Sequence, residues 1–383
     1  MDMTPQAMGL GNDELDAATL EQLETESYSQ WQLMWRQFRR HRLAMVGAVV
    51  LIIFYLVALA AGFVATQNPG TRNARYAYAP PQLPRFVDSE GKFHLRPFVY
   101  GLTQTTDPDT WEKVYTVDKT KKYPLRFFVR GDSYKLLGLF HSDVHLFGVE
   151  GKVPFFLLGS DALGRDLYSR IIYGTQISLS IGLVGVFVSL VLGLTIGGLS
   201  GLIGGVTDVV IQRLIEFLVS IPHIPFWMAL SAALPASWSA VQTYFAITVL
   251  LSLLGWTEVA RVVRGKFLSL RETDFVAASV SMGASNWWVI FRHLVPNFLS
   301  YVLVTVTLTI PGMILGETSL SFLGIGLRPP VISWGVLLQQ AQNMRTVALR
   351  PWLLLPGLFV IVAVLAFNFV GDGLRDAADP YSD

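Results

Sequence analysis

The stretch DFVAASVSMGASNWWVIFRHLVPN, residues 274–297, places an aspartate, an arginine, a histidine and two tryptophans between two apolar runs, 244–260 and 299–317. The chain of 383 residues has 52% hydrophobic residues, 15% charged residues and a mean hydropathy of +0.46. Soluble domains carry about 25% charged residues. The composition therefore predicts a membrane protein, in which this stretch is a polar loop between two membrane-crossing helices.

Six apolar runs are long enough to cross a hydrocarbon layer of about 30 Å as helices. The first is predicted to be a retained anchor rather than a cleaved signal peptide, because about 44 residues, ending in a basic and aromatic cluster, precede it. The six runs are 45–65, 177–199, 215–234, 244–260, 299–317 and 352–371.

Basic residues near the ends of the runs predict the orientation of the chain. Six crossings put both termini on one side of the membrane, and Lys and Arg accumulate in the short loops and tails on the cytoplasmic side. Both termini are therefore predicted to be cytoplasmic. The residues on that side are Arg36, Arg39, Arg40, Arg42, Arg213, Arg261, Arg264, Lys266, Arg271, Arg292 and Arg375, against Arg328, Arg345 and Arg350 on the other.

The predicted fold class is an all-α membrane protein with six transmembrane helices and a small, β-containing extracytoplasmic insert. Residues 1–43 are predicted to be a cytoplasmic tail with an interfacial helix on the lipid headgroups, in which Trp31, Met34, Trp35 and Phe38 lie opposite arginines. Residues 44–66 form the first helix, 67–157 the insert, and 158–383 a five-helix core with the polar loop 266–297.

The stretch YPLRFFVR, residues 123–130, supports a strand within the insert. Tyr123, Leu125, Phe127 and Val129 alternate with more polar neighbours, which is typical of a half-buried strand, and Pro124 predicts an edge strand. An irregular cover over the helix ends is the alternative.

Several kinds of chemistry lack support in the sequence. A net charge of +1 argues against a nucleic-acid partner, and a chain without cysteine has no thiolate metal site. Gly265 and Lys266 lack the upstream glycine and the following hydroxyl residue of a phosphate-binding loop. His94, His141 and His145 lack metal-ligand spacing and are predicted to be surface residues. We therefore predict that the chain is not an enzyme and that it holds no cofactor or metal.

The polar loop is predicted to form a helix, a glycine turn and a second helix. Ser269 and Glu272 have capping-box spacing, which places the first helix start near Asp274. Gly283 closes that helix, and Ser285 caps a second one that runs to about Leu294. A helix of about eight residues is not stable alone, so it must pack on its own bundle or on a partner. Both alternatives remain open from the residues alone. In the second helix, Trp287, Trp288 and Phe291 are predicted to pack against the inner ends of the spans.

Charged residues and prolines inside the runs suggest a translocation path. A carboxylate in a membrane segment costs about 2.5–3.5 kcal/mol on insertion scales, so it faces the bundle interior or lies near a helix end. For Glu258, near Arg261, the helix-end interpretation is favoured; for Glu216 and Glu317 both remain open. Pro222 and Pro225 predict a kink that borders the path.

The motif LGSDALGRDLYSR, residues 158–170, is predicted to be a structural elbow that leads into the second run. Ser160 or Asp161 can cap the following turn, and Arg165 can pair with either Asp161 or Asp166. Two aspartates would repel a phosphate, which argues against an anion site.

Several segments resemble one family. Ala277 and Ala278, Gly283 and Pro296 are similar to the coupling loop of ABC importer permeases, whose motif reads E-A-A, three residues, G, nine residues, I-x-L-P. The segments LGSDALGRDLYSRIIYGTQISLSIGL, SFLGIGLRPPVISWGVLL and GDGLRDAADP, residues 158–183, 321–338 and 371–380, resemble the dipeptide, oligopeptide and nickel importer permeases.

The resemblance implies a subunit of a bacterial inner-membrane importer. It implies a second homologous permease, two cytoplasmic ATPase subunits that bind ATP and magnesium, and an extracytoplasmic substrate-binding protein. The expected cargo is small peptides, with nickel or oligosaccharides as alternatives. The residues it implies for ATPase coupling are Asp274, Phe275, Ala277, Ala278, Met282, Gly283, Ala284, His293 and Pro296.

The chain departs from the family pattern in two places. Ala277 occupies the position of the usual motif glutamate, and Ser279 that of the third small residue. The insert 67–157 is longer than in many relatives. Two other classes remain as alternatives: a proton-coupled secondary transporter that uses Glu216 or Glu317, and a membrane-anchored binding protein or enzyme that works through its insert.

Overall fold

A computed structural model describes residues 30–106, 108–109, 113–151, 153–235, 237–295 and 299–378. Its helices are α1 Gln30–Arg40, α2 Arg42–Leu59, α3 Ala61–Val64, α4 Leu167–Ile203, α5 Gly205–Ser220, α6 His223–Ala232, α7 Ala240–Leu270, α8 Asp274–Ser281, α9 Asn286–Trp288, α10 Leu299–Phe322, α11 Trp334–Leu338, α12 Met344–Leu349 and α13 Leu355–Ala378. Its strands are β1 Arg85–Val87, β2 Phe93–Thr106, β3 Lys113–Leu136 and β4 Phe140–Val149.

Within these residues, five helices are long and apolar enough to cross a membrane, and they coincide with five of the predicted runs. They lie at Arg42–Leu59, Leu167–Ile203, Ala240–Leu270, Val302–Phe322 and Pro351–Ala378. The pair α5 and α6 brings the number of crossings to six if it is counted as one span. Helices dominate because a segment in hydrocarbon must satisfy its backbone hydrogen bonds internally.

The predicted kink in the third run is a complete break. Helices α5 and α6 meet at 87°, and Ile221 and Pro222 form the junction. Pro222 directly precedes α6, and Pro225 lies in its first turn, where a missing N–H costs no helical hydrogen bond. The two prolines therefore end one helix and permit the start of the next.

Close packing of α4 on α7 organises the bundle. Gly193, Gly197 and Gly201 lie four residues apart on one face of α4, and a methyl group on Gly197 would lie 2.5 Å from the Ala260 carbonyl oxygen. Small residues at this spacing let two backbones approach each other. The backbones of α4 and α7, the two longest spans, therefore lie closer together than side chains of ordinary size would allow.

The segment that follows α10 folds back into the bundle through Trp334, which has no exposed surface. The Trp334 backbone N–H donates to Ser178 Oγ at 3.0 Å, and its indole N–H donates to the Ile171 carbonyl at 3.3 Å. Phe54 and Phe359 pack their rings around it at 6.0 and 6.3 Å. Trp334 thus fixes α11 against three spans.

The elbow that precedes α4 is built as predicted, with Asp161 as its centre. Its carboxylate accepts the Leu163 and Arg165 backbone N–H groups at 2.8 and 3.0 Å and the Arg165 Nε at 2.6 Å. Asp161 thus caps the turn that follows it, as predicted. Asp166 caps α4 itself: its side chain accepts the Ser169 backbone N–H at 2.8 Å. Burial raises the pKa of the Asp166 carboxyl to about 6.

Residues 85–149 contain a four-stranded antiparallel sheet in the order β1-β2-β3-β4, which confirms a β-containing segment between the first two predicted spans. The predicted strand at 123–130 lies within β3, whose residues 113–124 pair with β2 and whose residues 125–136 pair with β4. Pro124 therefore has a strand partner on one side only, as an edge position does. Pro124 pairs with Phe98 on β2, and Leu125 pairs with Val149 on β4, so the proline lies where the pairing partner changes.

The sheet packs on the end of the first span. Tyr134 contacts Gly62, and both ring nitrogens of His145 lie near backbone carbonyls, Nδ1 at 2.6 Å from Ala65 and Nε2 at 3.0 Å from Asp132. His145 is 3% exposed, so the prediction of a surface histidine is wrong at this position. Its environment depends on α3, which is 80 residues away in the sequence.

The predicted interfacial helix is present as α1, but its aromatic face is divided. Trp35 is 57% exposed, as expected for a membrane-surface residue, whereas Phe38 is buried and packs with Ala44 and Ala377. Phe38 therefore attaches α1 to α2 and α13, which corrects the prediction that this aromatic side chain faces lipid headgroups.

Candidate functional site: the coupling loop and a membrane cavity

The polar loop, residues 266–297, is called the coupling loop below after the family loop that it resembles. Its first helix begins and ends where the sequence predicts. Helix α8 has eight residues and starts at Asp274, whose carboxylate lies in the first turn and complements the helix dipole. The predicted capping box is wrong: Ser269 Oγ donates to the Lys266 carbonyl at 2.8 Å within α7, and Thr273 precedes α8 without a side-chain cap.

Gly283 closes α8 in the left-handed conformation, with φ at +84°. The Gly283 N–H donates to the Val280 carbonyl at 2.9 Å, and the Ala284 N–H donates to the Ser279 carbonyl at 3.1 Å. These are the two closing bonds of a Schellman turn, for which a residue without Cβ is preferred.

The second half of the loop continues from Ser285. Its Oγ accepts the Trp288 N–H at 3.3 Å, and α9 passes into a π-helical turn at Val289–Leu294. Val295 is also helical and is the last described residue before 299, so the helix end near Leu294 stays a prediction. Pro296, the last motif residue, lies outside the described residues.

One side of the loop packs on the bundle. Val276, Val289, Ile290 and Leu294 are at most 1% exposed and belong to a cluster with Phe267. Sequence reasoning assigned this packing to Trp287, Trp288 and Phe291, but each of these is 48% exposed. The buried anchors are therefore the aliphatic residues between the aromatic ones.

The opposite side of the loop, here called the loop face, leaves large apolar side chains exposed. It consists of Phe275, Val280, Met282, Trp287, Trp288 and Phe291, with Met282 81% exposed. Asp274, Ala277 and Ala278 are also exposed, so the position that the resemblance assigns to the motif glutamate is open to solvent. Exposed apolar patches are a feature of protein–protein and membrane interaction sites.

His293 connects the two halves of the loop. Its ring lies 4.6 Å from the Trp288 ring and 6.0 Å from the Phe275 ring, and its Nε2 lies 3.3 Å from Ser279 Oγ. The serine that departs from the family pattern is therefore 4% exposed and contacts a residue of the motif's second helix.

An ion pair that sequence reasoning missed joins three helices near the loop. Arg264 on α7 donates through Nε and Nη2 to the Asp208 carboxylate on α5, at 2.5 and 2.6 Å. Ser200 on α4 donates to the same carboxylate at 2.5 Å. Bidentate arginine–carboxylate pairs fix geometry as well as contributing energy. The two residues lie 56 positions apart, so their sequence context gave no signal of the contact.

A cavity of about 450 Å³, here called the membrane cavity, lies between the broken span, α7 and α10. Its polar lining includes His223, Glu258, Arg261 and Thr309, and Trp227 and Gly312 form part of its wall. Pro222 precedes His223 at the break, so the predicted kink borders this cavity. Glu258 and Arg261 face it without forming an ion pair to each other, which departs from the predicted helix-end pairing.

The other two carboxylates that were predicted to border a path lie elsewhere. Glu216 is exposed and pairs with Arg213 at 2.7 Å. Glu317 has no exposed surface and accepts hydrogen bonds from Ser321 and Ser333 at 2.7 and 2.6 Å. The structure does not bring them together, and neither is among the residues that line the membrane cavity. Their role in translocation remains a prediction.

Two family models match the chain. Residues 165–381 match "Binding-protein-dependent transport system inner membrane component", and residues 29–81 match "N-terminal TM domain of oligopeptide transport permease C". The first match covers more than half of the chain and contains the coupling loop, the membrane cavity and the Asp208–Arg264 pair.

Similar proteins extend the match over most of the chain. The oligopeptide transport system permease protein OppC of Bacillus subtilis is 29% identical over 366 residues, 95% of this chain and 94% of that protein. The dipeptide transport system permease protein DppC of Lactococcus lactis is 31% identical over 367 residues, 94% of this chain and 93% of that protein. OppC of Haemophilus influenzae is 40% identical over 227 residues, 59% of this chain and 70% of that protein.

Among solved structures, an inward-facing form of the MetNI methionine ABC transporter has a TM-score of 0.44 and 19% sequence identity, and covers 55% of this chain and 97% of that chain. The family assignment rests on the sequence matches instead. The chain belongs to the family of binding-protein-dependent transport system inner membrane components, the multi-pass permease subunits of ABC importers.

Proposed function

We propose that the chain imports small peptides, delivered by an extracytoplasmic binding protein, as one of two permeases driven by two ATPase subunits. The names of the full-length relatives, oligopeptide and dipeptide permeases, support peptides as cargo. The chain is itself not an enzyme, since ATP and magnesium belong to the partner subunits. Membership of an ABC importer family argues against a stand-alone proton-coupled transporter and against an enzyme that works through its insert.

The observation that carries the coupling proposal is the loop face on a firmly anchored helix. Val276 and Ile290 attach the loop to the bundle, while Phe275 and Met282 remain exposed beside Gly283. A short helix that presents apolar anchors fits a groove on a partner. Because Ala277 replaces the motif glutamate, docking of an ATPase subunit here relies on apolar contact and has no carboxylate at that position.

The proposed orientation puts the termini and the coupling loop in the cytoplasm and the sheet outside. Residues 1–43 and 266–297 are then cytoplasmic, and 67–157 form the extracytoplasmic insert. Single-cysteine variants can test this, because the native chain has no cysteine. In intact spheroplasts an impermeant thiol reagent should label Leu95→Cys on β2 and spare Met282→Cys; the reverse pattern would refute the orientation.

The importer itself is tested by gentle purification of the tagged chain from its native membrane, followed by mass spectrometry. Recovery of two ATPase chains and a second permease, with ATP-dependent peptide uptake in proteoliposomes, is the expected result. Repeated recovery of this chain alone, or an assembled complex that does not take up peptides, would contradict the proposal.

A further inference from the structure

Two opposite charges line the membrane cavity, and neither forms an ion pair within the described residues. Glu258 and Arg261 are both exposed to the cavity, and they lie three residues apart on α7. Residues at this spacing are neighbours on a helix surface, with Cβ atoms roughly 5–6 Å apart. Even so, no ion pair within 4.0 Å joins either one to another residue in the part of the chain that the structure describes.

The position of these residues in the span makes their lack of an ion pair informative. Glu258 lies in the last turn of the apolar run 244–260, and Arg261 directly follows that run. Charged side chains in or beside a span face water or an opposite charge. Both side chains are exposed and line the membrane cavity, which therefore gives them a space that water can enter.

The walls of the cavity come from three separate helical segments. The α5–α6 break contributes His223 and Trp227, and α10 contributes Thr309 and Gly312 from the middle of its span. A methyl group on Gly312 would meet nothing within 4 Å, so this side of α10 is open. Broken helices that line a cavity are tolerated because water satisfies their free backbone groups.

The chemistry of the two charges matches the chemistry of a peptide. A free peptide carries an ammonium group at one end and a carboxylate at the other. Glu258 can accept hydrogen bonds from the ammonium, and Arg261 can donate two parallel bonds to the carboxylate. Because both side chains are exposed to water, each contact is weak, which suits a passage that must release its cargo.

We infer that Glu258 and Arg261 form a charged contact site for peptides in transit, with Glu258 facing cationic groups and Arg261 facing anionic groups of the cargo. This inference rests on the proposed function of peptide import. It assigns a role in cargo contact to the two residues, whereas an ion pair at a helix end would have a structural role only.

The test uses the complete importer in proteoliposomes, energised with ATP and supplied with equal amounts of a cationic peptide, Lys-Ala-Lys, and an anionic peptide, Glu-Ala-Glu. Both peptides are measured in the same vesicles, so the ratio of their uptake does not depend on how much protein is folded. Selection by the binding protein is common to wild type and variants and cancels when their ratios are compared.

Glu258→Gln should lower the cationic-to-anionic ratio about two- to five-fold, the size expected for one water-exposed charge contact, and Arg261→Gln should raise it by a similar factor. Asp372→Asn provides the matched control, because Asp372 is an exposed carboxylate on α13 outside the cavity lining, and should leave the ratio unchanged.

Equal losses for both peptides in Glu258→Gln and Arg261→Gln would overturn the inference. If those losses accompany weaker recovery of the second permease, the two charges serve the interface between permeases instead. Absence of uptake by the wild-type complex would refute peptide import itself, a failure that is distinct from an unchanged ratio in an active importer.

Discussion

Replacing Gly283 with alanine should weaken the coupling loop through backbone strain alone. Gly283 has φ at +84°, and a methyl group added there would meet nothing within 4 Å, so the substitution creates no clash within this chain. Placing an L residue in the left-handed region costs roughly 1–2 kcal/mol. The cost falls on the turn that closes α8, an eight-residue helix that is too short to be stable alone.

Gly265→Ala is the matched control for this strain. Gly265 is also open, with nothing within 4 Å of the added methyl group, but it lies inside α7 without a positive φ. Alanine there favours the helix by roughly 0.5–1 kcal/mol. The two variants add the same methyl group to an open site, so a difference between them isolates the conformation of the turn.

Hydrogen exchange of the α8 amides, measured on the chain in lipid nanodiscs, provides the assay. A shift of 1–2 kcal/mol corresponds to roughly a 5- to 30-fold change in an opening equilibrium. Gly283→Ala should therefore accelerate exchange in α8 by about that factor and lower ATP-driven uptake in the assembled importer, whereas Gly265→Ala should do neither. Wild-type exchange in Gly283→Ala would refute the strain argument, and normal uptake despite faster exchange would refute the coupling role of the turn.

Three further predictions concern the bundle. Gly197→Ala should lower stability by roughly 1–3 kcal/mol in detergent unfolding, because its methyl group meets the Ala260 backbone, which cannot rotate away; unchanged stability would contradict the packing. Arg264→Gln should cost roughly 1–3 kcal/mol by leaving the Asp208 carboxylate without its main partner, and the double variant with Asp208→Asn should recover part of that loss. Burial raises the pKa of Asp166 to about 6, so the folded chain holds this proton more tightly than the unfolded chain does. Its contribution, roughly 3 kcal/mol, favours folding below about pH 4 and is lost as pH rises from 4 to 6; Asp166→Asn, which keeps a capping side chain, should remove this dependence from pH-resolved thermal unfolding.

The Asp88 carboxylate on the sheet titrates in the opposite sense. Hydrogen bonds from His94 and Lys122 hold the pKa of Asp88 well below its usual range. The ionised form therefore favours the folded sheet above the ordinary pKa near 4, and this contribution is lost as pH falls further. The sheet and the elbow consequently respond to acid with opposite signs, although both rest on buried aspartates.

The sequence by itself determined the elements whose causes are local. An apolar run of about 20 residues forms a helix in hydrocarbon because a helix satisfies its own backbone hydrogen bonds. Five of the predicted runs are accordingly long helices in the structure, and the sixth is a bent pair of helices. The start of α8 at Asp274, its end at Gly283 and the cap at Ser285 also followed from neighbouring residues, since caps and turns depend on contacts within a few positions.

Only the tertiary structure decided which faces of distant segments meet. Phe38 and His145 are buried because α13 and α3 cover them, and the Asp208–Arg264 pair forms because α5 returns to α7. The same cause leaves Trp287 exposed where packing was predicted, and opens a cavity to Glu258. These outcomes depend on how the helices cross in three dimensions. The sequence of one helix does not specify which residues of another helix will pack against it.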